Sequence, residues 1–177
     1  MRNAGRLYAF DTSDRRLMNL KARLKRSGLS NVHPQHIDSE TDPRIQRLSA
    51  KIDRVLVDAP CTGFGTLRRN PDLKWRQHAE SMAQMTRKQS AILHAAAGLV
   101  KPEGRLVYAT CSFLREENEQ IVESFLARHP DFQLARANEV LRAQGIDLDT
   151  GDYFRVFPHT HCLDGFFAAV LEKSRDS

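Results

Sequence analysis

The sequence predicts an α/β fold with a mostly parallel sheet and a C-terminal antiparallel hairpin. Three observations carry that expectation. Apolar runs alternate with segments of helical periodicity. Three of the runs end on an aspartate, at Asp11, Asp38 and Asp58, and two run on into a cysteine, at Cys61 and Cys111. A length of 177 residues fits one domain of common size.

The run GRLYAFD reads as a strand ending at Asp11, and TSDRRLMNLKARLKRSG as the helix that follows it. Thr12 or Ser13 supplies its N-cap, Leu17, Leu20 and Leu24 line one face, and Gly28 terminates it. The outer face carries Arg15, Arg16, Lys21, Arg23, Lys25 and Arg26, which a solvated helix surface explains more simply than a binding face. VHPQHID reads as a weaker strand ending at Asp38, and KIDRVLVDAP as a strong one ending at Asp58. From about His78 to Val100, Met82, Met85, Ile92, Ala96 and Leu99 recur at helical spacing, so a helix with its methionines in the core is expected. Lys101-Pro102-Glu103-Gly104 reads as a turn, GRLVYATC as the next strand, and LREENEQIVESFLARHP as a helix closed by Pro130. A polar stretch runs from Arg136 to Asp152. YFRVFPHTHCLDGFFAAVLEK then reads as two strands joined by a loop, a hairpin at a sheet edge.

Composition narrows the classes of function. The 27 Lys and Arg against 22 Asp and Glu leave a net charge of +5, which permits a polyanionic partner without requiring one. No apolar run is long enough for a membrane span and no charged start leads into an apolar signal core, so a cytoplasmic protein is expected. Cys61, Cys111 and Cys162 are too few and too odd for a disulfide framework, and reduced thiols are the default.

In open parallel sheets ligands bind at the carboxyl ends of the strands. A carboxylate closing a strand there can accept two hydrogen bonds from a ribose diol, and Asp11 suits that role. Each such aspartate can equally be a cap of the next helix. The thiols carry the same ambiguity. Free cysteine, with a pKa of about 8.5, is only slightly ionised at neutrality, so a reactive thiol needs positive potential beside it. Helix-start amides and the nearby Arg68, Arg69 and Lys74 could provide it, yet each cysteine can also be a small buried apolar residue. His159, His161 and Cys162 in HTHC lack a second ligand pair at zinc-like spacing, so no metal site is expected.

The phrases VDAPCTGFGTLRRNPDLKW and YATCSFLREENEQIV resemble the two signature motifs of the RNA cytosine-5 methyltransferases of the RsmB, Nop2 and Sun family. GRLYAFDTSDRRL and DGFFAAVLEK resemble further blocks of that family in the same order, so the resemblance covers nearly the whole chain. It implies a Rossmann-like methyltransferase sheet, S-adenosyl-L-methionine as cofactor and RNA as substrate, ribosomal before transfer RNA. Asp11 would then hold the ribose hydroxyls of the cofactor, Asp38 would lie beside the adenine, and Asp58 would line the pocket between cofactor and base. Cys111 would be the nucleophile that adds to carbon 6 of cytosine, and Cys61 would assist release of the product. Asp58 is the candidate for stabilising the activated ring at nitrogen 3. Arg68, Arg69 and Lys74 would contact phosphates beside a base drawn out of its stack, while Pro71, Asp72 and Trp75 can simply hold the shape of their loop.

The family also carries a glycine-rich cofactor loop after a first strand, in a phrase like Ala-Pro-Gly-Gly-Lys-Thr, and this sequence contains no such phrase. Met1 falls where the family has the tail of the following helix. Residues 1–177 are therefore expected to be a partial catalytic domain that lacks the strand between those ending at Asp11 and Asp58, with two open strand edges, weak cofactor binding and poor folding alone. An inactive remnant that binds RNA or a partner protein retains the same motifs. A DNA cytosine methyltransferase takes its nucleophile from the Pro-Cys motif, and the complete Thr-Cys phrase speaks against it.

Overall fold

The computed structural model describes residues 3–76 and 78–175; Met1 lies outside them. The chain divides into two compact units, Met1–Arg47 and Leu48–Ser177.

In the first unit, β1 (Leu7–Asp11), α1 (Asp14–Ser27), β2 (Val32–His36) and the short α2 (Pro43–Gln46) follow one another. β1 and β2 pair in parallel, with Asp11 opposite His36. The helix between them begins and ends where its caps dictate. The Ser13 side chain accepts from the Arg16 amide, and Gly28 takes the left-handed conformation at φ 70° that a residue with a Cβ resists. Leu17 is buried and Leu20 and Leu24 are half-buried, as the periodicity requires. β2 stops at His36, two residues before Asp38, so Asp38 does not end a strand. The chain turns there because buried Asp42 accepts from the Asp38 amide and caps α2.

In the second unit the order is β3 (Ile52–Asp58), α3 (Leu73–Arg76), α4 (Ala79–Ala97), β4 (Val100–Thr110), α5 (Glu119–Arg128), β5 (Phe132–Ala135), α6 (Ala137–Arg142), β6 (Phe154–Val156), α7 (Pro158–His161) and β7 (Phe166–Lys173). β3 and β4 are parallel, β7 runs antiparallel to both β4 and β5, and β6 pairs with the start of β7. The sheet order is β3-β4-β7-β5. The α/β class with parallel pairs and a C-terminal antiparallel hairpin is thus borne out. The hairpin's second strand, however, lies inside the sheet rather than at its edge. β7 is apolar in an unbroken run, with Phe167, Ala169, Val170 and Leu171 all buried, which suits a strand covered on both faces. β5, in a stretch that carried no predicted element, flanks it.

Three further expectations change. Lys101–Gly104 is a bulge within β4 rather than a turn: Ile52 pairs with Val100 and Arg54 with Arg105, so the extra residues oppose Asp53 alone. The helical segment after Cys111 is broken, with a 3₁₀ turn at Arg115–Glu117 before α5, because the Asn118 side chain is bonded to Thr110 and Ser112. Met82 and Met85 are only half-buried; the buried face of α4 is Gln89, Leu93, Ala96 and Ala97, in its later turns. That face packs in the core with Leu106, Tyr108, Val122, Phe125 and Leu171. Each large apolar side chain buried there contributes about 1.5–3 kcal/mol.

Among the described residues β1 pairs only with β2, and β3 only with β4, so the strands ending at Asp11 and Asp58 belong to separate sheets. Leu56, in the middle of β3, is 69% exposed. No described helix is long and apolar enough to cross a membrane.

Candidate active site

Parallel pairing of β3 and β4 brings two carboxyl strand ends side by side, with Asp58 opposite Ala109 and the Ala59 amide bonded to the Ala109 carbonyl at 2.9 Å. The chain leaves β3 through Pro60 and Cys61 and leaves β4 through Cys111. The two sulfurs lie 3.2 Å apart. Both thiols are half-buried, and Asp58 is exposed at the strand end beside them. The structure thus brings together the three residues expected to be catalytic.

The two thiols differ in electrostatics. The Cys61 S–H donates to the Cys111 sulfur, and that bond, against an opposing contribution from burial, brings Cys111 down to about 7; its own amide helps, while the charges of Asp58 and Glu117 oppose. Cys61 moves the other way: the bond to Cys111, then burial, push its thiol far up, so it keeps its proton. A thiol near 7 is about half ionised at neutrality, where an ordinary one is a few per cent thiolate. The agent is the neighbouring thiol rather than helix-start amides or the arginines, since both cysteines lead into loops and 3₁₀ turns, not α-helices.

The loops are clamped by backbone and by buried polar groups. The Gly65 amide donates to the Cys111 carbonyl at 2.9 Å, and the Gly165 amide donates to the Gly65 carbonyl at 2.8 Å. A Cβ on Gly65 would overlap the Gly165 carbonyl and stand 2.8 Å from the Cys111 oxygen, so the approach requires glycine. Glu117, fully buried, accepts from the Thr62 amide and hydroxyl and from Gln89. Sequence reasoning missed these groups. Gln89, the one polar residue on the buried face of α4, was the signal available.

The first unit holds Asp11 and Asp38. Asp11 Oδ1 accepts from the Ser13 amide at 2.8 Å, and Arg16 Nε pairs with the carboxylate at 3.0 Å, so it does serve the start of α1. Asp38 is exposed and pairs with Arg44 at 3.0 Å. The buried carboxylate of this turn is Asp42, unremarked in the sequence. Hydrogen bonds from the Arg44 guanidinium, then from the Asp38 and Arg44 amides, hold it well below the usual carboxylate range. Asp11, at the end of β1, and Asp38, two residues past the end of β2, are carboxylate acceptors, which fits a ribose diol and an adenine amine in kind.

The three expected phosphate contacts divide. Arg68 is exposed. Lys74 lies 4.8 Å from the centroid of the exposed Trp75 ring. Arg69 instead pairs at 3.1 Å with Asp164, whose side chain is only 12% exposed. In HTHC, His161 Nδ1 accepts from the Phe157 amide within its own turn, and exposed Cys162 takes a left-handed backbone at φ 56°.

The sequence model of a family described as 16S rRNA methyltransferase RsmB/F matches residues 1–172. A probable ribosomal RNA small subunit methyltransferase B of Synechocystis sp. is 39% identical over 175 residues, covering 98% of this chain and 39% of that protein. One from Bacillus subtilis is 33% identical over 174 residues, covering 98% and 39%. The chain thus spans 39% of the length of these curated relatives. Among solved structures, PH0851 matches with a TM-score of 0.88 at 40% identity, covering 98% of this chain and 38% of that one. NSun6 from Pyrococcus horikoshii, solved with SFG, matches with a TM-score of 0.81 at 31% identity, covering 98% and 43%.

Proposed function

The chain belongs to the 16S rRNA methyltransferase RsmB/F family, and from that premise we propose that residues 1–177 form part of the catalytic domain of an RNA cytosine-5 methyltransferase acting on ribosomal RNA. The observation that carries this reading is the pair of sulfurs 3.2 Å apart, one poised as thiolate and the other retaining its proton. The relatives' names as ribosomal RNA small subunit methyltransferases support the substrate class and, with it, a cytoplasmic setting.

S-adenosylmethionine, when bound, supplies the methyl group. Asp11 and Asp38 are the residues here that would hold its ribose and adenine, and the SFG in the NSun6 structure supports a cofactor of that kind. The chain's own residues do the rest. The Cys111 thiolate adds to carbon 6 of cytosine, and the electron pair displaced toward the ring makes carbon 5 nucleophilic. Asp58, exposed beside Cys111, takes up a proton and, as the neutral carboxyl, donates it in a hydrogen bond or transfers it to nitrogen 3, where the negative charge on the ring gathers. After methylation solvent water takes the proton from carbon 5, and the electron pair left behind re-forms the double bond to carbon 6 as the Cys111 sulfur departs as thiolate. Cys61, in contact with that sulfur, assists the departure. Arg68 and Lys74 contact phosphates flanking the extruded base.

The test is methyl transfer from labelled S-adenosylmethionine to unmodified ribosomal RNA. Cys111→Ala is expected to abolish transfer and leave no adduct, whereas Cys61→Ala is expected to accumulate a covalent RNA adduct on denaturing gels. Adduct from Cys111→Ala and none from Cys61→Ala would reverse the two roles. The alternative, an inactive remnant that binds RNA or a partner protein, is favoured by the exposed basic face of α1, and it predicts RNA binding with neither transfer nor adduct.

A further inference from the structure

Glu117 is 0% exposed, and no Lys or Arg pairs with it among the described residues. A carboxylate so placed is tolerated only if hydrogen bonds satisfy it. Three do: the Thr62 amide at 2.8 Å and Gln89 Nε2 at 3.1 Å on Oε1, and the Thr62 hydroxyl at 2.6 Å on Oε2.

The donors are placed about the two cysteines. Thr62 directly follows Cys61, and Gln89 Nε2 also donates to the carbonyl of Pro60, which directly precedes it, at 2.8 Å. Both neighbours of Cys61 are therefore bonded to the Glu117–Gln89 pair. Glu117 itself sits in the turn that follows Cys111, where its carbonyl accepts from the buried Tyr108 hydroxyl at 2.7 Å. Asn118 bridges the residues on either side of Cys111, accepting from Thr110 Oγ1 at 2.6 Å and donating to the Ser112 carbonyl at 3.0 Å. The Thr62 and Ser112 hydroxyls, one from each loop, meet at 3.4 Å.

The charge of Glu117 opposes ionisation of Cys111, so electrostatic activation is not its contribution. Its geometry is. We propose that Glu117 is a positioning residue whose carboxylate, through Thr62 and Gln89, holds the Cys61 loop against the Cys111 loop and sets the separation of the two sulfurs. The proposal rests on the two-thiol reading of the site given above.

The test uses the 177-residue chain with Cys162→Ser, which leaves two thiols, and two readouts independent of methyl transfer. The first is the rate at which diamide joins Cys61 to Cys111, the reagent taking up both thiol hydrogens as the disulfide forms. The second is the pH dependence of Cys111 alkylation by iodoacetamide, located by peptide mass spectrometry. Glu117→Gln keeps the shape and an acceptor, and is expected to cross-link as fast as wild type, with a Cys111 midpoint no higher than wild type because an opposing charge is removed. Glu117→Ala and Thr62→Val are expected to cross-link about tenfold more slowly or worse, with the Cys111 midpoint moved up toward an ordinary thiol. A residue of merely structural importance would lower the urea midpoint and leave both readouts unmoved.

A folded Glu117→Ala that cross-links as fast as wild type overturns the proposal alone. If Glu117→Ala does not fold, unchanged cross-linking in Thr62→Val overturns it. Glu117→Gln as slow as Glu117→Ala assigns the effect to charge and overturns it too. A wild-type chain whose thiols do not cross-link sinks the two-thiol reading and the proposal with it.

Discussion

The Cys61 thiol is hydrogen-bonded to the Cys111 sulfur across 3.2 Å, and the two sulfurs are unequal because of it. In Cys61 the donated bond and burial act in the same direction, both favouring the protonated thiol. In Cys111 the accepted bond outweighs burial, so the residue that leaves β4 is the one poised as thiolate.

Removing the donor should remove the inequality. In Cys61→Ala the alkylation midpoint of Cys111 is expected to rise from about 7 to at least the ordinary thiol value of about 8.5, because burial and the charges of Asp58 and Glu117 then outweigh the one remaining opposing contribution, the bond from its own amide. Cys61→Ser, which retains a donor, should fall between the two. A midpoint that stays put in Cys61→Ala would assign the low value to something other than the neighbouring thiol.

The backbone clamp makes a second, mechanical prediction. Gly65→Ala must displace the Gly165 carbonyl or the Cys111 carbonyl, and neither is a flexible side-chain end. Urea unfolding should show a loss of about 3 kcal/mol, at the upper end for overpacking. Gly98→Ala is the control: its φ of −62° suits alanine and its added Cβ finds its nearest neighbour at 3.4 Å, so stability should hold or rise slightly. Equal behaviour of the two variants would mean that the contact between the two glycine segments is not tight.

Much of this site was legible because it sits at strand ends, and strand ends are written locally. Apolar runs closing on Asp11, Asp58 and Cys111 place those residues at the carboxyl edge without knowledge of any partner. Pairing of Cys61 with Cys111 needed only that β3 and β4 be parallel neighbours. What stayed hidden depends on contacts distant in sequence. Glu117 and Asn118 look like surface residues in LREENEQ, and only the return of Thr62 and Thr110 to them makes them interior. Asp38 lies past the end of β2, and the carboxylate that is buried in its turn is Asp42, whose burial against Arg44 no local pattern announces. Arg69 looked like a free cation until β7 brought Asp164 to it.

Stability should depend on pH through His129. Its ring is stacked on Phe125 at 4.3 Å and lies 2.8 Å from His94 Nδ1. Burial first, and the His94 charge second, lower its pKa below the usual 6.5. The unfolded chain therefore binds the proton more readily over the window beneath 6.5, and stability present above that pH is lost as the pH falls through it. His129→Phe keeps the aromatic packing and removes the titration, so the fall in urea midpoint between about pH 7 and 5.5 should become shallower. An identical pH slope in the variant would exclude this ring as a source.

The last prediction separates cations that look alike in the sequence. Arg68 and Lys74 are exposed in the segment that follows Cys61, whereas Arg69 is committed to Asp164. A cation that displaces counterions from single-stranded RNA contributes about 0.7 to the slope of log affinity against log salt. Arg68→Ala and Lys74→Ala should each lower that slope by about this amount, read by fluorescence anisotropy with an unpaired oligonucleotide of ribosomal sequence. Arg69→Ala should change the slope less and instead lower the urea midpoint, because it leaves a largely covered Asp164 carboxylate without its partner and loosens the segment that Gly165 clamps to Gly65. If Arg69→Ala takes the full loss of slope while Arg68→Ala takes none, the ion pair with Asp164 opens on binding, and the phosphate contact belongs to Arg69.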